Sequence, residues 1–155
     1  MTKAIQILLV EDNPADADLT RESLSTSTLE IDLTVAVNGK DAVDFIHKRG
    51  RFATAATPDL ILLDLNLPGI DGRGVLADIK QDTELKRIPV SILTSSESER
   101  DIARSYELGA NCYVVKPIDF KSFLNIVRAV ENFWFGIVKL PQAQIDAVGK
   151  TASMP

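Results

Sequence analysis

Five short, mostly apolar runs, each followed by signals for a helix start, constrain the fold of this chain more than any other feature. The runs cover residues 5–10, 31–36, 59–64, 89–94 and 112–115. Runs of this length that are rich in β-branched and aliphatic residues are typical of strands buried on both faces. Because crossovers between parallel strands are right-handed, the alternation predicts an α/β fold: a doubly wound (βα)5 chain with a five-stranded parallel sheet and helices on both faces.

The helix starts are marked by residues whose side chains accept hydrogen bonds from the first backbone N–H groups of a helix. Asn13-Pro14 predicts a helix that ends near Thr26, and Asn38 predicts a second helix. The third is predicted from Asp71 to Lys80, the fourth from the S-x-x-E sequence Ser96–Glu99 to Gly109, and the fifth from Asp119 to Phe135.

The composition excludes several classes of protein. The chain has 155 residues, 45% of them apolar, which fits one domain with a core and excludes bulk disorder. The net charge of −5 argues against a dedicated nucleic-acid binder, and one cysteine, Cys112, excludes an internal disulfide. No apolar run is long enough to cross a bilayer, so we expect no membrane partner and a cytoplasmic location.

Polar side chains follow four of the predicted strands at the ends where α/β sheets bind ligands. Glu11-Asp12 follow the first strand, Asp64 ends the third, Thr94 ends the fourth and Lys116 follows the fifth. Three carboxylates with no histidine or cysteine beside them favour Mg²⁺, a cation that prefers oxygen ligands. A lysine and a hydroxyl in the same crevice would suit the oxygens of a phosphoryl group.

These residues lie in motifs by which the sequence resembles the receiver domain of two-component response regulators. The motifs are residues 9–13 (LVEDN), 64–72 (DLNLPGIDG), 92–95 (ILTS) and 115–117 (VKP), and the resemblance covers about residues 3–130. It implies the flavodoxin-like fold with CheY topology, and a function in a phosphorelay. The domain prediction is a receiver over residues 3–135 and a C-terminal extension over 136–155.

The resemblance implies a role for each site residue. Asp64 matches the phospho-accepting aspartate, Lys116 the lysine that pairs with a phosphoryl oxygen, and Thr94 the switch hydroxyl. Tyr113 matches the aromatic switch residue, and the face formed by the fourth helix, fifth strand and fifth helix would change shape on phosphorylation. The implied Mg²⁺ ligands are Glu11, Asp12, Asp64 and the backbone carbonyl of Asn66. The Lys116–Pro117 peptide bond would be cis.

A narrower resemblance is to response regulators that partner cyanobacterial phytochromes. It rests on residues 64–68, on the long loop before the third strand, and on residues 132–141 (NFWFGIVKLP). It implies a single-domain receiver phosphorylated by a light-regulated histidine kinase, forming an acyl phosphate that water hydrolyses.

The C-terminal extension begins with an apolar run, and its later part is expected to be flexible. An apolar patch at the end of a small domain favours an interface, so we predict a homodimer through the fifth helix and this run. The alternative is that the run folds back on its own domain. The candidate interface residues are Phe133, Trp134, Phe135, Ile137, Val138 and Leu140.

Two other functions remain open. An aspartate-nucleophile phosphatase of the haloacid dehalogenase type also uses an aspartate at a strand end, but it has a second aspartate where this chain has Asn66. A receiver that acts as a scaffold without phosphorylation is the other alternative, which the complete set Glu11, Asp12, Asp64, Thr94 and Lys116 argues against.

Overall fold

A computed structural model of the protein describes residues 4–141 and shows a five-stranded, fully parallel sheet in the order β2-β1-β3-β4-β5. The predicted fold is confirmed. The strands are β1 (Ile5–Val10), β2 (Ile31–Ala36), β3 (Leu60–Leu63), β4 (Val90–Thr94) and β5 (Cys112–Val115). The helices are α1 (Pro14–Ser25), α2 (Gly39–Ile46), α3 (Gly72–Gln81), α4 (Glu99–Glu107) and α5 (Phe120–Asn132), with short 3-10 turns at Gly50–Phe52 and Leu85–Arg87.

The core lies on both faces of the sheet, because alternate residues of each strand point to opposite sides. One face packs against α2 and α3, through side chains such as Ile46 and Leu76. The other packs against α1 and α5, through Leu24, Phe123 and Val127. Strands β3 and β4 are buried along their whole length, as expected for the centre of a doubly wound sheet.

The predicted caps are confirmed for four helices and wrong for one. The side chains of Asn13, Asn38, Asp71 and Asp119 each accept from N–H groups in the first turn of α1, α2, α3 and α5. Helix α4 is capped by Ser98, not Ser96. The hydroxyl of Ser96 instead donates to the Asp101 carboxylate at 2.6 Å, which is a stronger, charge-assisted bond.

Two further local predictions need correction. Helix α5 ends at Asn132 instead of Phe135, because residues Phe133–Ile137 form one wider π-helical turn, called here the C-terminal turn. No cis peptide bond occurs among residues 4–141, so the Lys116–Pro117 bond is trans, the isomer that X-Pro bonds favour by about 0.5–1 kcal/mol.

Some predictions concern residues outside the described part of the chain. The later part of the extension, residues 142–155, lies there, so its predicted flexibility stays a prediction. Among residues 4–141, no helix has the length and apolar character that a membrane crossing requires.

Candidate phosphoryl-acceptor site

Three carboxylates come together where β1 and β3 end. These strands pair in parallel with Val10 opposite Leu63, so the residues that follow them emerge side by side. Carboxylate oxygens of Glu11, Asp12 and Asp64 all lie within 4.8 Å of one another. Glu11 and Asp64 are buried, whereas Asp12 is exposed and leaves one side of the cluster open to solvent.

This donor set fits Mg²⁺. All three groups are hard oxygen ligands, and the open side at Asp12 leaves room for the waters that Mg²⁺ retains. Asn66 is next to the cluster, since its backbone N–H donates to Asp64 Oδ1 at 3.2 Å. Its predicted role as a carbonyl ligand stays a prediction.

The start of α3 packs closely against the backbone of Asp64 and Leu65. The first residue of α3, Gly72, donates its N–H to the carbonyl of Leu65 at 2.9 Å. A Cβ atom on Gly72 would lie 2.2 Å from the carbonyl oxygen of Asp64, far inside contact distance. Only glycine therefore allows α3 to begin this close to the end of β3.

Lys116 lies at the centre of the carboxylates. Its ammonium group donates to Glu11 Oε1 at 2.6 Å, to Asp16 Oδ2 at 2.9 Å and to Asp64 Oδ2 at 3.0 Å. Burial favours the neutral amine, but the hydrogen bonds to Glu11 and Asp16 and the nearby charge of Asp64 outweigh it and raise the pKa of Lys116 above its usual value. The lysine is therefore a permanent positive charge beside Asp64.

The charge state of Glu11 is more finely balanced. Burial raises the pKa of its carboxyl to about 7, and the negative charge of Asp64 acts in the same direction, although Lys116 opposes both. The ionisation of Glu11 therefore responds to pH near neutrality.

Asp16 is a further member of the cluster, which the sequence patterns did not reveal. It lies in the first turn of α1, and its bond to Lys116 joins residues 100 positions apart. The only signal for Asp16 in the sequence is the start of α1 just after Glu11 and Asp12. This position places the first carboxylate of α1 near the site.

The structure also brings both predicted switch residues to the loop between β4 and α4. Thr94 is fully buried, and the N–H of Ser96 points to its hydroxyl at 3.5 Å. The phenol of Tyr113 is half-buried and donates to the carbonyl of Ser96 at 3.0 Å. Thr94 and Tyr113 thus contact the same loop residue, the first at its N–H and the second at its carbonyl.

Comparison with known proteins agrees with this arrangement. The sequence profile of the response regulator receiver domain matches residues 7–128. The chain belongs to this family. It is therefore a response regulator, a signalling protein of two-component systems.

Two relatives of this receiver, Rcp1 and RcpA, are cyanobacterial. The response regulator Rcp1 of Synechocystis is 48% identical over 137 residues, which are 88% of this chain and 93% of that protein. The crystal structure of the phosphorylated cyanobacterial phytochrome response regulator RcpA is 45% identical, with a TM-score of 0.88 over 90% of this chain and 99% of that one. The structure of Mn²⁺-bound Rcp1 is 47% identical, with a TM-score of 0.85 over 88% and 99%.

A second polar cluster in the receiver holds α4, and it too was not evident from the sequence. The guanidinium of Arg73, at the start of α3, forms an ion pair with Asp101 in the first turn of α4. Asp101 also accepts from Ser96, whose carbonyl accepts from Tyr113. We call these four residues the α4 network; it links α3, α4, β5 and the loop between β4 and α4.

The residues of the candidate interface run differ in how far the structure buries them. Trp134 is buried, and its indole N–H donates to the hydroxyl of Ser91 on β4 at 2.8 Å, so this residue belongs to the core of its own domain. Phe135, Val138 and Leu140 are partly buried against the same core. Phe133 and Ile137 remain 46% and 69% exposed. Because the Trp134 ring is buried in its own domain, it is not available to a second copy of the chain, and the prediction that it lies in a dimer interface is wrong.

Proposed function

We propose that this chain is a receiver that accepts a phosphoryl group on Asp64 from a phytochrome sensor histidine kinase. The observation that carries the proposal is the Asp64 carboxylate itself, which follows β3 at the end of the sheet between one lysine and two further carboxylates. The kinase assignment is supported by the relatives Rcp1 and RcpA, since RcpA is a phytochrome response regulator and the chain spans nearly their whole length.

In the transfer, an oxygen of Asp64 forms a bond to phosphorus while the phosphorus–nitrogen bond of the donor phosphohistidine breaks. The electron pair of that bond returns to the imidazole of the kinase. Lys116 offsets negative charge on the phosphoryl oxygens and holds the Asp64 carboxylate in place. Mg²⁺ held by Glu11, Asp12 and Asp64 would supply further positive charge at the same oxygens. Water later cleaves the acyl phosphate, which returns the carboxylate and releases phosphate.

The output of the proposed function is a change of the α4 surface. At neutral pH a phosphoryl group on Asp64 carries roughly 1.5 to 2 negative charges, in place of the single charge of the free carboxylate. We propose that Thr94 turns toward that charge and that Tyr113 and the loop at Ser96 follow. The hydrogen bond from Tyr113 to Ser96 supports this coupling, because neither residue moves without changing the other's contact.

The proposal is tested by incubating the protein with acetyl phosphate and Mg²⁺ and measuring its intact mass. We expect a gain of one phosphoryl group that is lost in Asp64→Asn and kept in Asp18→Asn, a matched change of an exposed carboxylate on α1. No mass gain in the wild type would favour the scaffold alternative. Steady turnover of small phosphate esters would favour the phosphatase alternative, which Asn66 argues against.

We also propose a homodimer through α5 and the exposed part of the C-terminal turn. Phe133 and Ile137 are large, exposed apolar side chains on the same turn, and Phe120 at the start of α5 is exposed as well. A second copy of the same surface would cover them. Sedimentation velocity should show a dimer for the wild type and a monomer for the Phe133→Ser, Ile137→Ser double variant. A wild-type monomer, with and without phosphorylation, would contradict the dimer.

A further inference from the structure

The ammonium group of Lys116 has no hydrogen-bond donor left for a phosphoryl oxygen. A lysine carries three N–H donors, and in this site they point to Glu11, Asp16 and Asp64 at 2.6, 2.9 and 3.0 Å. The side chain is only 8% exposed, so no alternative position for the ammonium in open solvent is close by. To contact a phosphoryl group on Asp64, Lys116 has to release one of its present acceptors.

Release of Glu11 would cost the most. Its side chain is 2% exposed, and its other oxygen accepts from the backbone N–H of Asn13 at 3.2 Å. Without Lys116, this buried carboxyl group would keep a single backbone donor and lose its only ion pair with a basic side chain among residues 4–141, which is strongly unfavourable.

Release of Asp64 would move Lys116 away from the group that carries the phosphoryl. The lysine has to stay near the Asp64 carboxylate to reach the phosphoryl oxygens. The side chain is also only 9% exposed, so water could not readily take the place of the lysine.

Asp16 is the acceptor that can leave at least cost. Its side chain is 27% exposed, three times as much as that of Asp64, so water can replace the lysine. Asp16 also lies in the first turn of α1, where the positive end of the helix dipole stabilises a free carboxylate.

We infer that Asp16 is a positioning residue that occupies one donor of Lys116 in the unphosphorylated protein and gives it up to a phosphoryl oxygen. The inference rests on the proposed phosphorylation of Asp64. Since the phosphoryl group has to displace Asp16, this carboxylate weakens the hold of the site on the phosphoryl group and shortens the life of the acyl phosphate.

The test is the affinity for beryllofluoride, a phosphoryl mimic, at saturating Mg²⁺. Asp16→Asn keeps the size of the side chain but loses its charge, so it should compete less for Lys116. We expect the variant to bind beryllofluoride about fivefold more tightly than the wild type, as measured by calorimetry. The acyl phosphate formed with acetyl phosphate should also persist longer in the variant.

Asp18→Asn is the matched control, because it removes the same charge from an exposed position of the same helix. A general effect of charge would appear in both variants and would fall with added salt, whereas the exchange at Lys116 appears in Asp16→Asn alone and persists in salt. Structural damage would lower the affinity, and thermal unfolding of each variant checks for it.

The outcomes distinguish the exchange at Lys116 from the acceptor function of Asp64. If the wild type binds beryllofluoride and Asp16→Asn binds it equally or more weakly, the exchange is overturned and the acceptor role of Asp64 stands. An equal gain in Asp18→Asn would overturn the exchange in the same way. If the wild type binds Mg²⁺ but no beryllofluoride, the proposed acceptor function is itself overturned.

Discussion

Helices α4 and α5 flank the same strand, β5, but they are attached to the domain in opposite ways. Helix α5 buries Phe123 and Val127 in the core and packs along α1, where Ser23 also donates to the carbonyl of Leu124 at 3.0 Å. Helix α4 buries only Ser105 of its own residues and exposes Tyr106. The first is attached mainly by apolar contacts and the second mainly by polar ones.

The difference indicates which of the two helices can move. Apolar burial is non-directional and is lost only when the helix leaves the sheet. The α4 network depends instead on a few partly exposed hydrogen bonds, and water can replace these at small cost. Of the two helices, α4 is therefore the one that can move without losing apolar contacts, and α5 is expected to keep its position.

The largest expected effect is in the C-terminal turn, which directly follows α5 and packs into the same apolar core. Trp134→Ala removes the ring that packs behind β4 and leaves a cavity beside Ser91, so the free energy of unfolding should fall by about 3–5 kcal/mol. Chemical denaturation followed by circular dichroism measures it.

Phe133→Ala is the matched control for that experiment, since the neighbouring ring is about half exposed. Its effect on the stability of the monomer should be below about 1 kcal/mol. Equal losses for the two variants would contradict the assignment of Trp134, and not Phe133, to the core.

A smaller effect is expected at the polar attachment. Arg73→Met breaks the ion pair with Asp101 and should cost about 1 kcal/mol. The backbone amides of α4 should exchange hydrogen faster while those of α5 are unchanged, because the loss is local.

Arg104→Met serves as the comparison for Arg73. Arg104 lies on α4 but pairs only with the exposed Glu107 among the residues that the structure describes, so its removal should leave exchange in α4 unchanged. Faster exchange in both helices after Arg73→Met would mean that α4 and α5 move as one unit.

The smallest expected effect is a response of α4 to acid. Hydrogen bonds from Ser96 and Arg73 hold the pKa of Asp101 below its usual value of 3.8. A carboxyl with a lowered pKa contributes stability that is present above its unfolded pKa and is lost as the pH falls through its folded pKa. Below about pH 4, α4 amides should therefore lose protection before those of α5, and Asp101→Asn should remove this difference.

The sequence was sufficient to predict features that depend on neighbouring residues. The strands follow from their apolar runs, and the caps at Asn13, Asn38, Asp71 and Asp119 follow from local hydrogen-bonding chemistry. The clustering of Glu11 with Asp64 follows from the parallel sheet, which brings strand ends together.

Features that depend on pairing between distant residues could not be predicted. Ser96 resembles a cap, but Asp101 and Tyr113 bind its hydroxyl and its carbonyl instead. Asp16 resembles an ordinary acidic residue of a first helical turn until Lys116 is placed beside it. The apolar sequence around Trp134 fits either an exposed or a buried ring. In the structure the ring is buried, and its indole N–H donates to the hydroxyl of Ser91, 43 residues away.

The position of Lys116 has a consequence for when the protein becomes competent during synthesis. Its partners Glu11 and Asp64 precede it by 105 and 52 residues, and β5, after which it follows directly, is the last strand of the sheet to leave the ribosome. A nascent chain that ends before β5 has the acidic pocket without its counter-charge, and repulsion among the carboxylates opposes its closure. The lysine charge that offsets this repulsion is therefore in place only once β5 has joined the sheet.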